Sequence, residues 1–174
     1  IGACLNHVLD TSRAEHLVLL EDDFQFSDDT DIERLTTPIA LGLFDIVGGG
    51  CLNMARNEEL QRFVGRFRFE DIKGKGTSIE IDHFDVDQID RLVSCDITLN
   101  FFAASRVALK RLRWDEDLKV ARHVDFFLRA RRMGLLVAYE PRCTIEHHTY
   151  QDTWQYAELR NERMAEFQAM FHEK

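Results

Sequence analysis

The order of apolar and polar positions predicts a domain that alternates strands with helices. Residues 17–20 (LVLL) are all apolar, which is typical of a strand buried on both faces in a parallel sheet. Residues 44–47 (FDIV) predict a second strand, and the glycines at 48–50 are expected to break it, either at a turn or where the backbone passes close to a ligand. Residues 93–104 (VSCDITLNFFAA) predict a further strand close to the core.

The first half of the chain also contains helix signals. Residues 2–9 (GACLNHVL) are typical of the end of a helix. Thr30 and Glu33 have the spacing of a capping box, which predicts a short helix that begins near Thr30. Pro38 is expected to end that helix or to turn the chain.

The second half continues the alternation. Ser105 is placed to cap a helix over residues 106–112, and a longer helix is predicted over 123–133 with Gly134 just after its end. Residues 135–139 (LLVAY) predict a strand that Pro141 closes.

Three more segments complete the predicted set. Residues 63–86 alternate apolar and charged side chains around a Gly-Lys-rich turn, which predicts an antiparallel hairpin at the edge of the domain. Residues 144–146 predict a short extended segment, and a last helix is predicted to begin at Asp152 or Thr153.

Composition limits the class of protein. The chain has 174 residues, is 45% hydrophobic and has only two prolines, which favours one packed domain. Its formal charge of −9 argues against general nucleic-acid binding, and no apolar run is long enough for a transmembrane segment. The basic residues concentrated between 106 and 132 belong either to solvated helix faces or to a rim that holds a diphosphate or an anionic acceptor.

An acidic cluster directly follows the first apolar run. Glu21, Asp22 and Asp23 are adjacent, and ionised carboxylates must lie where a buried strand emerges. Their mutual repulsion favours a bound cation, and hard oxygen ligands suit Mg²⁺ or Mn²⁺. The alternative is a solvated acidic turn.

Histidines and another carboxylate lie near the ends of later elements. His123 and Asp125 open the predicted long helix, and His147 and His148 end the last extended segment. Carboxylates with an imidazole suit a divalent metal, and a further carboxylate can act as a general base. Asp125 is also four residues from Arg129, so a simple ion pair on the helix is an alternative.

Five segments in one order resemble a known family. VLLEDDF, DIVGG, NFFAAS, WDEDLK with HVDFFLR, and IEHH resemble the second half of a GT-A fold glycosyltransferase of the family-2-like inverting type. Among these enzymes the sequence is most similar to the ganglioside-type β-1,4-N-acetylgalactosaminyltransferases. The resemblance covers residues 17–148, the C-terminal portion of such a catalytic domain.

The resemblance implies an α/β, GT-A-like mixed sheet flanked by helices, with the N-terminal βαβ part missing, so that residues 1–174 are one partial domain. It implies a metal-dependent, inverting enzyme with Mn²⁺ or Mg²⁺ as cofactor. Such an enzyme moves a hexose or N-acetylhexosamine from a nucleotide-diphosphate sugar, expected to be UDP-linked, to a hydroxyl of a glycan or glycolipid acceptor. Two other functions stay open, a metal-dependent phosphoesterase or nucleotidyltransferase and a non-catalytic interaction domain.

The resemblance also implies roles for individual residues. The metal would be held by Asp23, Glu21 and His147. Glu21 or Asp22 would face the donor ribose or the metal, and Asn100 and Phe101 would lie beside the donor or acceptor sugar. The base that deprotonates the acceptor hydroxyl would be Asp125, with His123 as the second choice.

Overall fold

A computed structural model describes residues 2–54, 58–59, 64–72, 76–118 and 121–148 of the chain. The helices are α1 (Gly2–Thr11), α2 (Ile32–Ala40), a 3₁₀ turn (Val86–Gln88), α3 (Arg106–Leu112) and α4 (Arg122–Arg132). The strands are β1 (His16–Leu19), β2 (Phe24–Gln25), β3 (Ile46–Asn53), β4 (Glu58–Glu59), β5 (Gly65–Ile72), β6 (Gly76–His83), β7 (Val93–Cys95), β8 (Phe102–Ser105) and β9 (Val137–His147).

Seven of the described strands form one mixed sheet. Its path is β1-β8-β3-β9-β2, with β4 beside β3 and β7 beside β9. β3 and β9 are parallel, whereas the other neighbours are antiparallel. Helix α2 packs on β3, β8 and β9, and α3 contacts β8, α1 and α4. A mixed sheet flanked by helices is therefore confirmed, and it is consistent with the GT-A-like fold that the resemblance implies.

The first apolar run forms a strand, but its predicted place in the sheet is wrong. β1 lies at the edge, pairs antiparallel with β8, and all four of its residues are half-buried. An apolar run also fits such an edge because its side chains, including Leu17 and Leu19, pack against the margin of the core.

The glycines at 48–50 do not break β3, which continues through them to Asn53. A Cβ on Gly48 would lie 1.9 Å from Thr98 Oγ1, and one on Gly49 would lie 2.5 Å from the Cys143 carbonyl oxygen. These glycines are needed for close packing within the protein rather than for a turn.

Neither proline acts as predicted. Pro38 lies inside α2, which continues to Ala40, and the N-cap is Asp31, whose side chain accepts the Glu33 N–H. Thr30 instead donates its hydroxyl to the Thr144 carbonyl over 2.6 Å, so it joins the start of α2 to β9. Pro141 lies within β9, which is one strand rather than two.

A bulge allows β9 to continue past Pro141. The register with β3 moves from Gly49–Glu140 to Gly50–Thr144, which leaves three extra residues on β9. The Glu140 carboxylate is buried, accepts the Arg142 backbone N–H over 3.0 Å and pairs with the Arg142 side chain over 2.7 Å. This local pair holds the bulge in shape.

Residues 93–104 form two strands rather than the single strand that was predicted. β7 pairs with β9, and β8 pairs with β1 and β3. Between them the Asp96 carboxylate accepts the Phe67 N–H over 2.9 Å and pairs with Arg131 over 2.6 Å, which draws the chain towards the hairpin β5-β6.

The other predicted elements are present where the structure describes them. α1 is a helix, β5 and β6 form the antiparallel hairpin, Ser105 caps α3 through the Ala108 N–H, and Gly134 adopts a φ of +71° after α4. The helix predicted from Asp152 lies outside the described residues. Among the helices in the described ranges, none is both long and apolar enough to cross a bilayer.

Candidate functional site

Most of the candidate residues lie at one end of the sheet. Leu19 at the end of β1 is opposite Phe102 at the start of β8, so Glu21 and Asn100 both extend beyond that boundary. β3 and β9 end at the same pole, where Asn53 is opposite His147. The sheet therefore brings together polar residues that are far apart in sequence.

Three side chains form a continuous hydrogen-bonded series. Asn100 Nδ2 donates to Glu21 Oε1 over 2.6 Å, and Asn100 Oδ1 lies 2.5 Å from His123 Nδ1. His123 is in the first turn of α4, and its ring makes an edge contact with Phe127 at 5.1 Å. Burial lowers the pKa of His123 to about 4, although a hydrogen bond with the Thr98 backbone opposes this effect. The imidazole is therefore neutral near pH 7.

Asp23 and His147 form a second contact nearby. Asp23 Oδ2 lies 2.9 Å from His147 Nε2, and the Asp23 carbonyl accepts the His148 N–H over 3.0 Å. The Phe24 ring contacts the His147 ring edge-on at 5.4 Å. Asp23 Oδ1 and His147 Nδ1 are both buried and have no hydrogen-bond partner among the described residues. Buried polar atoms of this kind are costly unless a ligand or water satisfies them.

This pair fits a divalent metal. A carboxylate oxygen and an imidazole nitrogen are ligand types that suit Mn²⁺, so Asp23 and His147 would hold such an ion. In the structure the two side chains contact each other directly, with 2.9 Å between Asp23 Oδ2 and His147 Nε2. In the part of the chain that the structure describes, no group of three His, Cys, Asp or Glu side chains converges on one point. Two protein ligands are sufficient where substrate phosphates and water supply the rest.

The predicted third ligand is turned to a different partner. Glu21 is exposed and bonds to Asn100 rather than to Asp23 or His147. Asp22 is exposed and makes no hydrogen bond or ion pair with the described residues. The three acidic residues therefore have different surroundings. Glu21 is linked through Asn100 to His123 in α4, Asp22 is solvated, and Asp23 contacts His147 in β9.

Asp125, the first choice for the base, lies in a different environment. It is 6% exposed, and Nε and Nη2 of Arg129 both lie 2.8 Å from its Oδ2. Arg129 Nη1 in turn donates to the carbonyls of Leu112 and Arg113 at the end of α3. Asp125 makes no hydrogen bond or ion pair with another candidate residue in the described ranges, so its contacts join α4 to α3.

Phe101 and Asn100, the two residues predicted to lie beside a sugar, have different surroundings. Phe101 is fully buried, and its ring lies next to Gly49 in the core. The Asn100 side chain lies in the candidate site, where it bonds to Glu21 and His123. His148 Nε2 pairs with Glu146 over 2.8 Å.

Arg122 and Asn53 were not among the predicted site residues. Arg122 is half-buried at the start of α4; burial lowers its pKa, and the negative charge of Glu21 opposes that shift. Asn53 is opposite His147 at the end of β3. Asn53 could have been predicted from the sequence, because a polar residue at the end of a buried strand is a candidate for a ligand site. The position of Arg122 beside Glu21 depends on the packing of α4 and has no local signal.

Comparison with known proteins finds one distant relationship. No family model matches the chain. The chain is similar to a β-1,4 N-acetylgalactosaminyltransferase 2 of Mus musculus, with 28% identity over 137 residues. The match covers 76% of this chain but only 25% of that protein, so the chain spans about a quarter of the length of the relative. The similarity supports a relationship to glycosyltransferases at a coarse level.

Proposed function

We propose that this chain is part of a metal-dependent, inverting glycosyltransferase. It would move a hexose or N-acetylhexosamine from a nucleotide-diphosphate sugar, UDP-linked in our proposal, to a hydroxyl of a glycan or glycolipid. The distant similarity to a β-1,4 N-acetylgalactosaminyltransferase supports the reaction class. The observation that carries the proposal is the Asp23–His147 contact, with its two unsatisfied buried atoms, two residues along the chain from the exposed Glu21.

The proposed roles follow from exposure and charge. Asp23 and His147 would hold Mn²⁺ or Mg²⁺, which when bound would neutralise negative charge on the leaving diphosphate. Glu21 and Asp22 are exposed and are available to hydroxyl groups of the donor. Arg122 adds a half-buried positive charge beside Glu21, where a diphosphate would be attracted.

The acceptor hydroxyl must lose a proton as it attacks the anomeric carbon. Asp125 would need to release Arg129 before it could accept that proton, because two guanidinium nitrogens lie 2.8 Å from its Oδ2. His123 is a weak base, because burial disfavours its charged form. Asp125 remains the first candidate and His123 the second, and substitution of each distinguishes a base from a structural residue.

The experiment measures the thermal stability of the chain with UDP, GDP, CMP and UDP-sugars, with and without Mn²⁺. We expect UDP to raise Tm only when Mn²⁺ is present, since a ligand at 100 times its Kd stabilises by about 2.7 kcal/mol, or several degrees for a domain of this size. Asp23→Ala should abolish the shift. Asp117→Ala, which removes an exposed carboxylate on another loop, should retain it.

Other outcomes would contradict the proposal in different ways. A shift that persists in Asp23→Ala, or that does not need Mn²⁺, would remove the proposed metal site. Hydrolysis of a simple phosphodiester without any sugar acceptor would favour a phosphoesterase. If no nucleotide shifts Tm, the interaction-domain hypothesis takes precedence.

A further inference from the structure

Glu21, Asn100 and His123 come from three separate elements and meet in one chain of hydrogen bonds. Glu21 follows β1, Asn100 precedes β8, and His123 is in the first turn of α4. The two links measure 2.6 Å and 2.5 Å between heavy atoms.

The chemistry of the groups determines the direction of each bond. An ionised carboxylate only accepts, so the Asn100 atom that faces Glu21 must be the NH₂ group. The amide oxygen then faces His123 Nδ1, which must carry the proton. Each residue thereby fixes the orientation of the next.

The inner end of this series is packed in the protein and the outer end is exposed. The His123 ring makes an edge contact with Phe127, with 5.1 Å between the ring centroids. Glu21, by contrast, is exposed, and among the described residues its carboxylate accepts a hydrogen bond from Asn100 alone. The second carboxylate oxygen is therefore available to a ligand.

We infer that His123 and Asn100 are positioning residues, which together hold the Glu21 carboxylate in one orientation at the candidate site. The inference deepens the proposed function and rests on it for the identity of the ligand, a nucleotide-sugar with a divalent cation. In this role His123 acts through Asn100 and Glu21, which leaves Asp125 as the candidate that takes the acceptor proton.

The first test does not depend on any activity. In isotope-labelled protein, NMR should show His123 with the proton on Nδ1, and the side-chain amide signals of Asn100 should move in both Glu21→Gln and His123→Leu. His7→Leu makes the same chemical change on an exposed helix position and should leave those signals unchanged. Asn100 signals that do not respond to either site variant would overturn the inference.

The second test measures the affinity for UDP with Mn²⁺ and the steady-state kinetics. Groups that orient a ligand-binding side chain typically contribute about 10- to 100-fold, so Asn100→Ala and His123→Leu should weaken binding by that factor. In a Glu21→Ala background both should change affinity less than about 3-fold, because residues in one network are not additive. His123→Asn, which keeps a donor near the Nδ1 position, should restore affinity.

A catalytic base would give a different pattern. If His123 accepted the acceptor proton, His123→Asn would lower kcat severely and leave UDP affinity unchanged, and that result would overturn the inference. If the wild-type chain binds no nucleotide with Mn²⁺, the proposed function fails, while the NMR measurement still decides whether the hydrogen-bonded series exists.

Discussion

Two acid–base pairs in this protein are built from similar groups but have opposite surroundings. Asp125 and Arg129 lie between α3 and α4, and the guanidinium also satisfies two backbone carbonyls. Asp23 and His147 lie at the end of the sheet, where each keeps one buried polar atom without a partner among the described residues. Arg129 Nη2 also lacks a hydrogen-bond partner among the described residues, although it lies 2.8 Å from Asp125 Oδ2 as an ion pair. The two pairs therefore differ in their additional partners: Asp125–Arg129 is tied to two backbone carbonyls and joins two helices, whereas Asp23–His147 keeps polar atoms that a ligand can satisfy.

The largest expected effect is on the Asp125–Arg129 pair. Asp125→Ala should lower the free energy of unfolding by about 3–5 kcal/mol, because it leaves the Arg129 charge partly buried and unpaired. Urea denaturation at neutral pH measures this effect. The double variant with Arg129→Met should recover much of the loss. A fully stable Asp125→Ala protein that has lost activity alone would instead support Asp125 as the base.

A smaller effect is expected from pH at the candidate site. The pKa of His123 is about 4 in the folded protein, against 6.5 for an unperturbed histidine, so the unfolded chain takes up this proton first as pH falls. The contribution of His123 to the free energy of unfolding is fully present above pH 6.5 and is lost as the pH falls from 6.5 to 4. The total loss is up to about 3 kcal/mol, and there is no further change below pH 4.

His123→Asn isolates this contribution, because it removes the titrating ring but keeps a hydrogen-bond donor. Unfolding free energies measured by urea between pH 7 and pH 4 should fall less steeply in the variant than in the wild type. Parallel curves would show that His123 does not titrate differently in the folded state.

The smallest expected effect is on the Asp23–His147 pair. Asp23→Asn without metal should change the free energy of unfolding by less than about 1 kcal/mol, because Asp23 is only half-buried and the amide keeps an oxygen that can accept from His147 Nε2. The same variant should lose the stabilisation by UDP with Mn²⁺. Chemical denaturation with and without the ligands checks both parts. A large loss of stability in the absence of metal would make the two pairs equivalent and remove the distinction between them.

Elements with local signals were predictable from the sequence. Ser105 and Gly134 act through their own backbone neighbourhoods, so their roles as cap and helix terminator were confirmed. Gly48, Pro38 and Pro141 gave misleading signals, because tertiary packing or a bulge overrides their local preference. Whether such a residue is buried or ends an element depends on the packing of the whole fold, which its sequence neighbours do not indicate.

The site could be predicted only in part. The acidic residues and His147 lie at element ends, and their presence at one pole of the sheet follows from that pattern. The link from Glu21 through Asn100 to His123 spans sequence separations of 79 and 23 residues, and no spacing rule indicates it. Asp125 shows the reverse case, since its spacing to Arg129 indicated the ion pair but not how deeply it is buried.

The bulge in β9 also controls the direction in which its last residue points. Side chains on a strand alternate between faces, so a change of one residue in the length of the bulge reverses every side chain that follows it. The three extra residues after Glu140 therefore set the phase of His147 relative to Asp23. A single deletion there would turn the imidazole to the opposite face of the sheet. The length of the bulge therefore determines whether His147 can contact Asp23.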